Sequence, residues 1–153
     1  MPVQREKECR NKDCIQRNSY KISRNIYEKA MAWYPGDETI ITESGNGFYI
    51  YGKTQEGKIN SEISFLQIDA ETVLIIMKKP MKEKALTDGG LRVLNHLNCG
   101  KHLLTHQVDI NSRVYKCRCI VSSKRLEEEF TDIMQYLEAE SKKAERLLAM
   151  ECK

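Results

Sequence analysis

The chain has 153 residues, of which 41% are hydrophobic and 31% charged, and it carries a formal net charge of +3. That length fits one domain, and the balance excludes a disordered or collagen-like chain. The longest apolar run, Val73-Leu74-Ile75-Ile76-Met77, is far too short to span a bilayer, so no membrane association is expected.

The charge is unevenly placed. Residues 1–25 hold seven Lys/Arg against three acids, and the remainder is nearly balanced. Residues 1–14 are almost wholly polar and read as a flexible basic arm ahead of a single α+β domain over 15–153. Nucleic acid is an unlikely partner for the arm, because single-strand binders interleave cations with aromatics and only Tyr20 stands near its end. The arm has charges but no apolar segment, unlike a signal peptide, so a cytoplasmic location is expected. The six cysteines of the chain are expected to stay reduced in that compartment.

From Ile15 the pattern becomes helical. Ile22, Ile26, Ala30 and Trp33 recur at spacings of four and three, which predicts a helix over about 19–34, ended by Pro35-Gly36-Asp37. Ser44-Gly45-Asn46-Gly47 is a turn cluster. Phe48-Tyr49-Ile50-Tyr51 is rich in strand formers, and Gln55-Glu56-Gly57-Lys58 reads as a hairpin turn. Ile59, Ile63 and Phe65 fall on one face of the next strand. After Asp69-Ala70-Glu71, the block Val73 to Met77 is apolar at every position, which predicts a strand buried on both faces, by a helix and by another layer or chain. Pro80 to Asn98 reads as a second helix, with Pro80 at its first position or with Asp88 as a later start. Leu86, Val93, Leu94 and Leu97 make its stripe, and Gly100 its stop.

Leu104, His106, Val108 and Ile110 then alternate with polar residues. Asn111-Ser112 is a tight turn, and Tyr115, Cys117, Cys119 and Val121 alternate with Lys116 and Arg118. This is a hairpin with one buried face, which puts both cysteines inside and Lys116 and Arg118 outside. Ser123 is placed to cap a last helix over about 124–150, whose stripe includes Leu126, Phe130, Ile133, Leu137, Ala144 and Leu147. The expected order is α-β-β-β-α-β-β-α, a two-layer α+β domain with an antiparallel five-strand sheet and helices on one face.

Three passages resemble the YbjN family of putative sensory transduction regulators. They are GFYIYGKTQEGKINSEISFLQIDAETVLIIMKKP, LRVLNHLN and HLLTHQVDINSRVYKCRCIVSSKRLEEEFTDIMQYLEAESKKAERLL. Asn98 looks like that family's asparagine near the end of the middle helix. The resemblance covers about two thirds of the chain; the basic arm and Gly89-Gly90 depart from the pattern. It implies a type III secretion chaperone-like fold, homodimers, and a non-enzymatic protein-binding role with no cofactor.

Catalytic signals are sparse. Gly45-Asn46-Gly47 and Gly89-Gly90 match neither nucleotide-binding loop, and Glu127-Glu128-Glu129 reads as a solvated helix face. The one donor cluster is His96, Cys99, His102 and His106, which holds all three histidines of the chain. Histidine and cysteine are the ligands zinc prefers, so a metal-binding or thiol-dependent protein is the alternative reading. The plainer reading is a crowded helix-to-strand junction with His106 as a hydrogen-bonded core histidine. The apolar excess of the sheet points to a homodimer or another protein partner, with Ile63, Phe65, Val73, Ile75, Met77, Leu147 and Leu148 as the candidate contact. Tyr49, Tyr51, Tyr115 and Trp33 read equally as partner anchors or as packing under the helices.

Overall fold

The computed structural model describes residues 20–53, 55–57, 59–81, 87–98, 104–109 and 111–151. The expected arm over 1–14 lies outside them. In chain order the elements are α1 (Arg24–Trp33), β1 (Glu38–Ile41), β2 (Gly47–Lys53), β3 (Ile59–Gln67), β4 (Thr72–Pro80), α2 (Asp88–Asn98), β5 (Leu104–Asp109), β6 (Val114–Ser122), α3 (Ser123–Glu128) and α4 (Phe130–Glu151). The described strands form one sheet in the order β1-β2-β3-β4-β6-β5, and each neighbouring pair is antiparallel.

The α+β class and the antiparallel sheet agree with the sequence reading, but the sheet has six strands and not five. The addition is β1, whose four residues are too few to show a period. It is held against β2 by a hairpin loop around Asn46. There the Asn46 Oδ1 accepts hydrogen bonds from the Thr42 and Ser44 hydroxyls, both at 2.7 Å, and Gly45 takes φ +72°.

Several boundaries move for identifiable reasons. Helix α1 begins at Arg24 because Ser23 caps it, accepting from the Asn25 N–H at 3.1 Å. Pro80 does not open a helix. It closes β4 opposite Val114, at a strand end where its missing N–H is tolerated. Helix α2 starts at Asp88, and the Thr87 hydroxyl accepts from Gly90 N–H at 3.1 Å, so the two glycines occupy the first turn and not the interior. Ser122 caps α3 by accepting from Arg125 N–H at 3.1 Å, one residue before Ser123. The last helical stretch is two helices, kinked at Glu129, whose φ of −121° leaves the helical range.

The core lies between the sheet and the described helices. Phe48 stacks on Phe65 at 5.0 Å and Phe65 on Phe130 at 6.1 Å, joining β2, β3 and α4 in one aromatic column. Tyr27 of α1 meets Phe48 edge-on at 5.1 Å. Burying each such side chain contributes roughly 1.5–3 kcal/mol. Polar ties fix the helices to one another. The Glu138 carboxylate accepts from Trp33 Nε1 at 2.8 Å and from the Tyr34 hydroxyl at 3.2 Å, and Lys29 donates to the Glu127 carbonyl. The buried Gln67 side-chain amide donates to the Asp69 carbonyl at 2.8 Å and the Ser123 hydroxyl at 2.7 Å, which pins the start of α3 to the β3–β4 turn. Among the described residues, no helix is long and apolar enough to cross a membrane.

Candidate functional site

In an antiparallel pair, residues directly opposite share a face, and successive residues alternate between faces. Applied to the register, this divides the sheet cleanly. One face carries Phe48, Ile50, Ile63, Phe65, Val73, Ile75, Met77, Leu104, His106, Tyr115, Cys117, Cys119 and Val121, all buried under the helices. Within the single chain, β4 is fully buried on one face only. Val73, Ile75 and Met77 are at most 6% exposed, whereas Leu74 and Ile76 are only half-buried.

The opposite face has three rows of side chains. The first is Leu66, Leu74 and Ile120, with Gly47 at its β2 end. A Cβ on Gly47 would lie 2.2 Å from the Phe65 carbonyl oxygen and 2.6 Å from Leu66 Cδ2, so only glycine lets Leu66 settle there. The second row is Ile40, Tyr49, Ser64, Ile76, Arg118 and Thr105. Ser64 is 2% exposed although no described helix covers it. The third row is Glu38, Tyr51, Glu62, Lys78, Lys116 and Gln107. Here Lys78 pairs with Glu62 at 3.3 Å, and Lys53 with Glu38 at 2.7 Å.

The seven residues expected at a contact fall elsewhere. Ile63, Phe65, Val73, Ile75, Met77 and Leu148 lie inside the chain's own core, and Leu147 packs half-buried against it. Their strand neighbours Leu66, Leu74 and Ile76 stand on the opposite face. Of the four aromatic candidates, Tyr115 is buried and Trp33 packs on Phe130 at 6.4 Å, whereas Tyr49 and Tyr51 stand on the bare face.

The histidine–cysteine cluster is only partly described: Cys99 and His102 lie outside the described residues. His96 is exposed on α2. His106 is 3% exposed on β5, with Nδ1 2.5 Å from the Tyr115 hydroxyl. Among the described residues, no group of three or more His, Cys, Asp or Glu side chains is arranged to hold a metal ion. Cys117 and Cys119 are free and buried, with Arg118 exposed and Lys116 half-buried on the other face, as the alternation predicts. Burial pushes the Cys117 thiol up to about 11, so it stays protonated at neutral pH and is a poor nucleophile there.

Asn98 has a definite structural role. Its Nδ2 donates to the His106 carbonyl at 2.8 Å, and its Oδ1 accepts from the His106 N–H at 2.7 Å. β5 is at the edge of the sheet, and the Asn98 amide takes the place that a neighbouring strand would have. On the helix side, an open cavity of about 610 Å³ is lined in part by Pro80, Met81, Tyr115, Lys142, Glu145 and Arg146. Lys79 and Glu145 form an ion pair at 3.1 Å beside it.

No protein-family model, curated protein or solved structure matches this chain.

Proposed function

We propose that the chain is a non-enzymatic protein-interaction module of the YbjN-like, secretion-chaperone-like kind, and that it acts as a homodimer. One observation supports this most directly. The described helices cover one face of the sheet, while the other keeps Leu66, Leu74, Ile76 and a 57% exposed Ile120 with no described element over them. Contiguous apolar surface of this sort is seldom left bare on a monomer beyond a few hundred Å². The buried, protonated thiols and the structural use of His106 fit the non-enzymatic side of the reading. An isologous two-fold contact is the simplest closed arrangement for a second copy.

The test is a mass measurement by light scattering at micromolar concentration. A doubled mass supports the homodimer; a single species at 17.8 kDa sinks it.

A further inference from the structure

The three rows of the bare face are ordered by chemistry, and that order restricts what the face can accept. Along the strands it runs from an aliphatic row, Leu66–Leu74–Ile120, to a charged row, Glu62–Lys78–Lys116. Across the strands, β1 to β3 contribute Glu38, Glu62, Tyr49 and Tyr51, with Lys53 as the one cation in the ion pairs described there. The other half contributes Lys78, Lys116 and Arg118. One half is acidic and aromatic, the other cationic.

We propose that this face takes a second copy of the chain, stacked about a two-fold axis that runs parallel to the strands between β3 and β4. The proposal rests on the homodimer reading and adds its surface and register. Such an axis keeps each row over itself and reverses the strand order, so β3 lies over β4, β2 over β6 and β1 over β5. The midline of the six-strand order is the β3–β4 junction, so all six strands overlap.

The resulting pairs are complementary. Leu66 meets Leu74 of the second copy. Ile120 comes over the β2 end of the row, where Leu66 fills the space beside Gly47, and so extends the aliphatic contact. Tyr49 meets Arg118 and Tyr51 meets Lys116, both cation-on-ring pairings. Glu62 meets Lys78, so the pair within each chain becomes part of a four-charge cluster around the axis. Facing sheets pack about 10 Å apart with strand directions within about 30°, and a parallel axis divides that angle equally.

The other two-fold in the plane of the face, perpendicular to the strands, lays the charged row on the aliphatic one. It places Glu62 over Leu66 and desolvates charge against hydrocarbon. From strand spacing and rise, the three rows occupy roughly 600 Å² of each copy, somewhat under the ~800 Å² per partner of a standard interface, so micromolar association is the expectation.

The experiment uses full-length Glu62→Lys and Lys78→Glu chains, alone and mixed, read by sedimentation velocity. In the first, positions 62 and 78 are both lysine; in the second, both are carboxylate. Each variant alone is expected to dimerise at least about tenfold more weakly than the parent, and the mixture to recover the parental affinity. Carbodiimide treatment of the mixture should then join position 62 of one chain to position 78 of the other. Those bonds are necessarily between chains, since neither variant holds an amine and a carboxylate at these two sites. Variants that dimerise as the parent does, with no preference for mixing, overturn the stacking and leave the homodimer reading standing. A parent chain that stays at 17.8 kDa overturns both. Circular dichroism checks that the variants fold. Should either fail, Arg118→Glu at an exposed position replaces it: weakened dimerisation supports the stacking, and unchanged dimerisation overturns it.

Discussion

Asn98 shows how one side chain can complete a sheet. An edge strand presents N–H and C=O groups that must find partners or water, and the primary amide carries one donor and one acceptor in nearly the peptide's geometry. Its two bonds to His106 tie the end of α2 to β5. His106 in turn reaches Tyr115 on β6. Asn98→Ala removes both bonds and leaves the part-buried His106 peptide groups to find water. A loss of roughly 1–3 kcal/mol is expected in urea unfolding, with Asn98→Asp also destabilised because the carboxylate keeps the acceptor and loses the donor. A midpoint unchanged in Asn98→Ala would show the bonds to be incidental. The family resemblance singled out Asn98, yet no period or composition could reveal its role. The role depends on β5 being an edge, which is a property of strand order and not of local sequence.

At the scale of elements, what could be read from sequence is what has a period. The β6 alternation placed Cys117 and Cys119 inside because a two-residue period leaves one choice of face. The turn at Asn111-Ser112 was also legible, and Asp109 explains its geometry. Its carboxylate accepts from the Ser112 and Asn111 N–H groups at 3.2 and 3.1 Å, bonds that hold it below the usual carboxylate range. Two features escaped: β1, too short to repeat, and the division of β4, whose apolar run has no contrast between faces. The register supplies that contrast and yields opposite outcomes for adjacent residues. Ile75 is fully buried opposite Phe65 and Cys119, so Ile75→Glu puts an unpaired carboxylate in the core and should abolish cooperative folding. Ile76 is half-buried on the opposite face beside Arg118, so in the undimerised chain Ile76→Glu should fold with a loss of about 1 kcal/mol or less. Thermal melts followed by circular dichroism decide it. Two equal losses at concentrations too dilute for dimerisation would mean that the chain itself covers β4 on both sides.

For the whole molecule, the helix layer buries ionisable groups as well as hydrocarbon, and this ties stability to alkaline pH. Burial raises Tyr34 above its usual 10.0, reinforced by the Glu138 carboxylate that its hydroxyl contacts. Burial likewise raises Tyr115, with Cys117 adding to the effect, and pushes Cys117 from 9.0 to about 11. Each group holds its proton more tightly when folded, so it loses that proton at lower pH when unfolded. Between the two values the unfolded chain binds fewer protons, and stability falls as pH rises. The contribution is therefore fully present below pH 9, the usual thiol value, and erodes first through Cys117 and then through the two tyrosines above pH 10. Each group costs at most about 1.4 kcal/mol per pH unit in its window. The urea midpoint should be level from pH 7 to pH 8.5 as far as these groups govern it, then drop steadily towards pH 11. Burial raises the Cys119 thiol as well, so the double variant Cys117→Ser/Cys119→Ser should shift the onset towards the tyrosine range, because serine has no ionisation in this window. Alkylation of Cys117 in the parent chain, followed by peptide mapping, should track the unfolded fraction, since its folded thiolate is scarce below pH 11. A midpoint that stays level to pH 11 would show that water reaches all three groups and that the α4 side of the core is not closed.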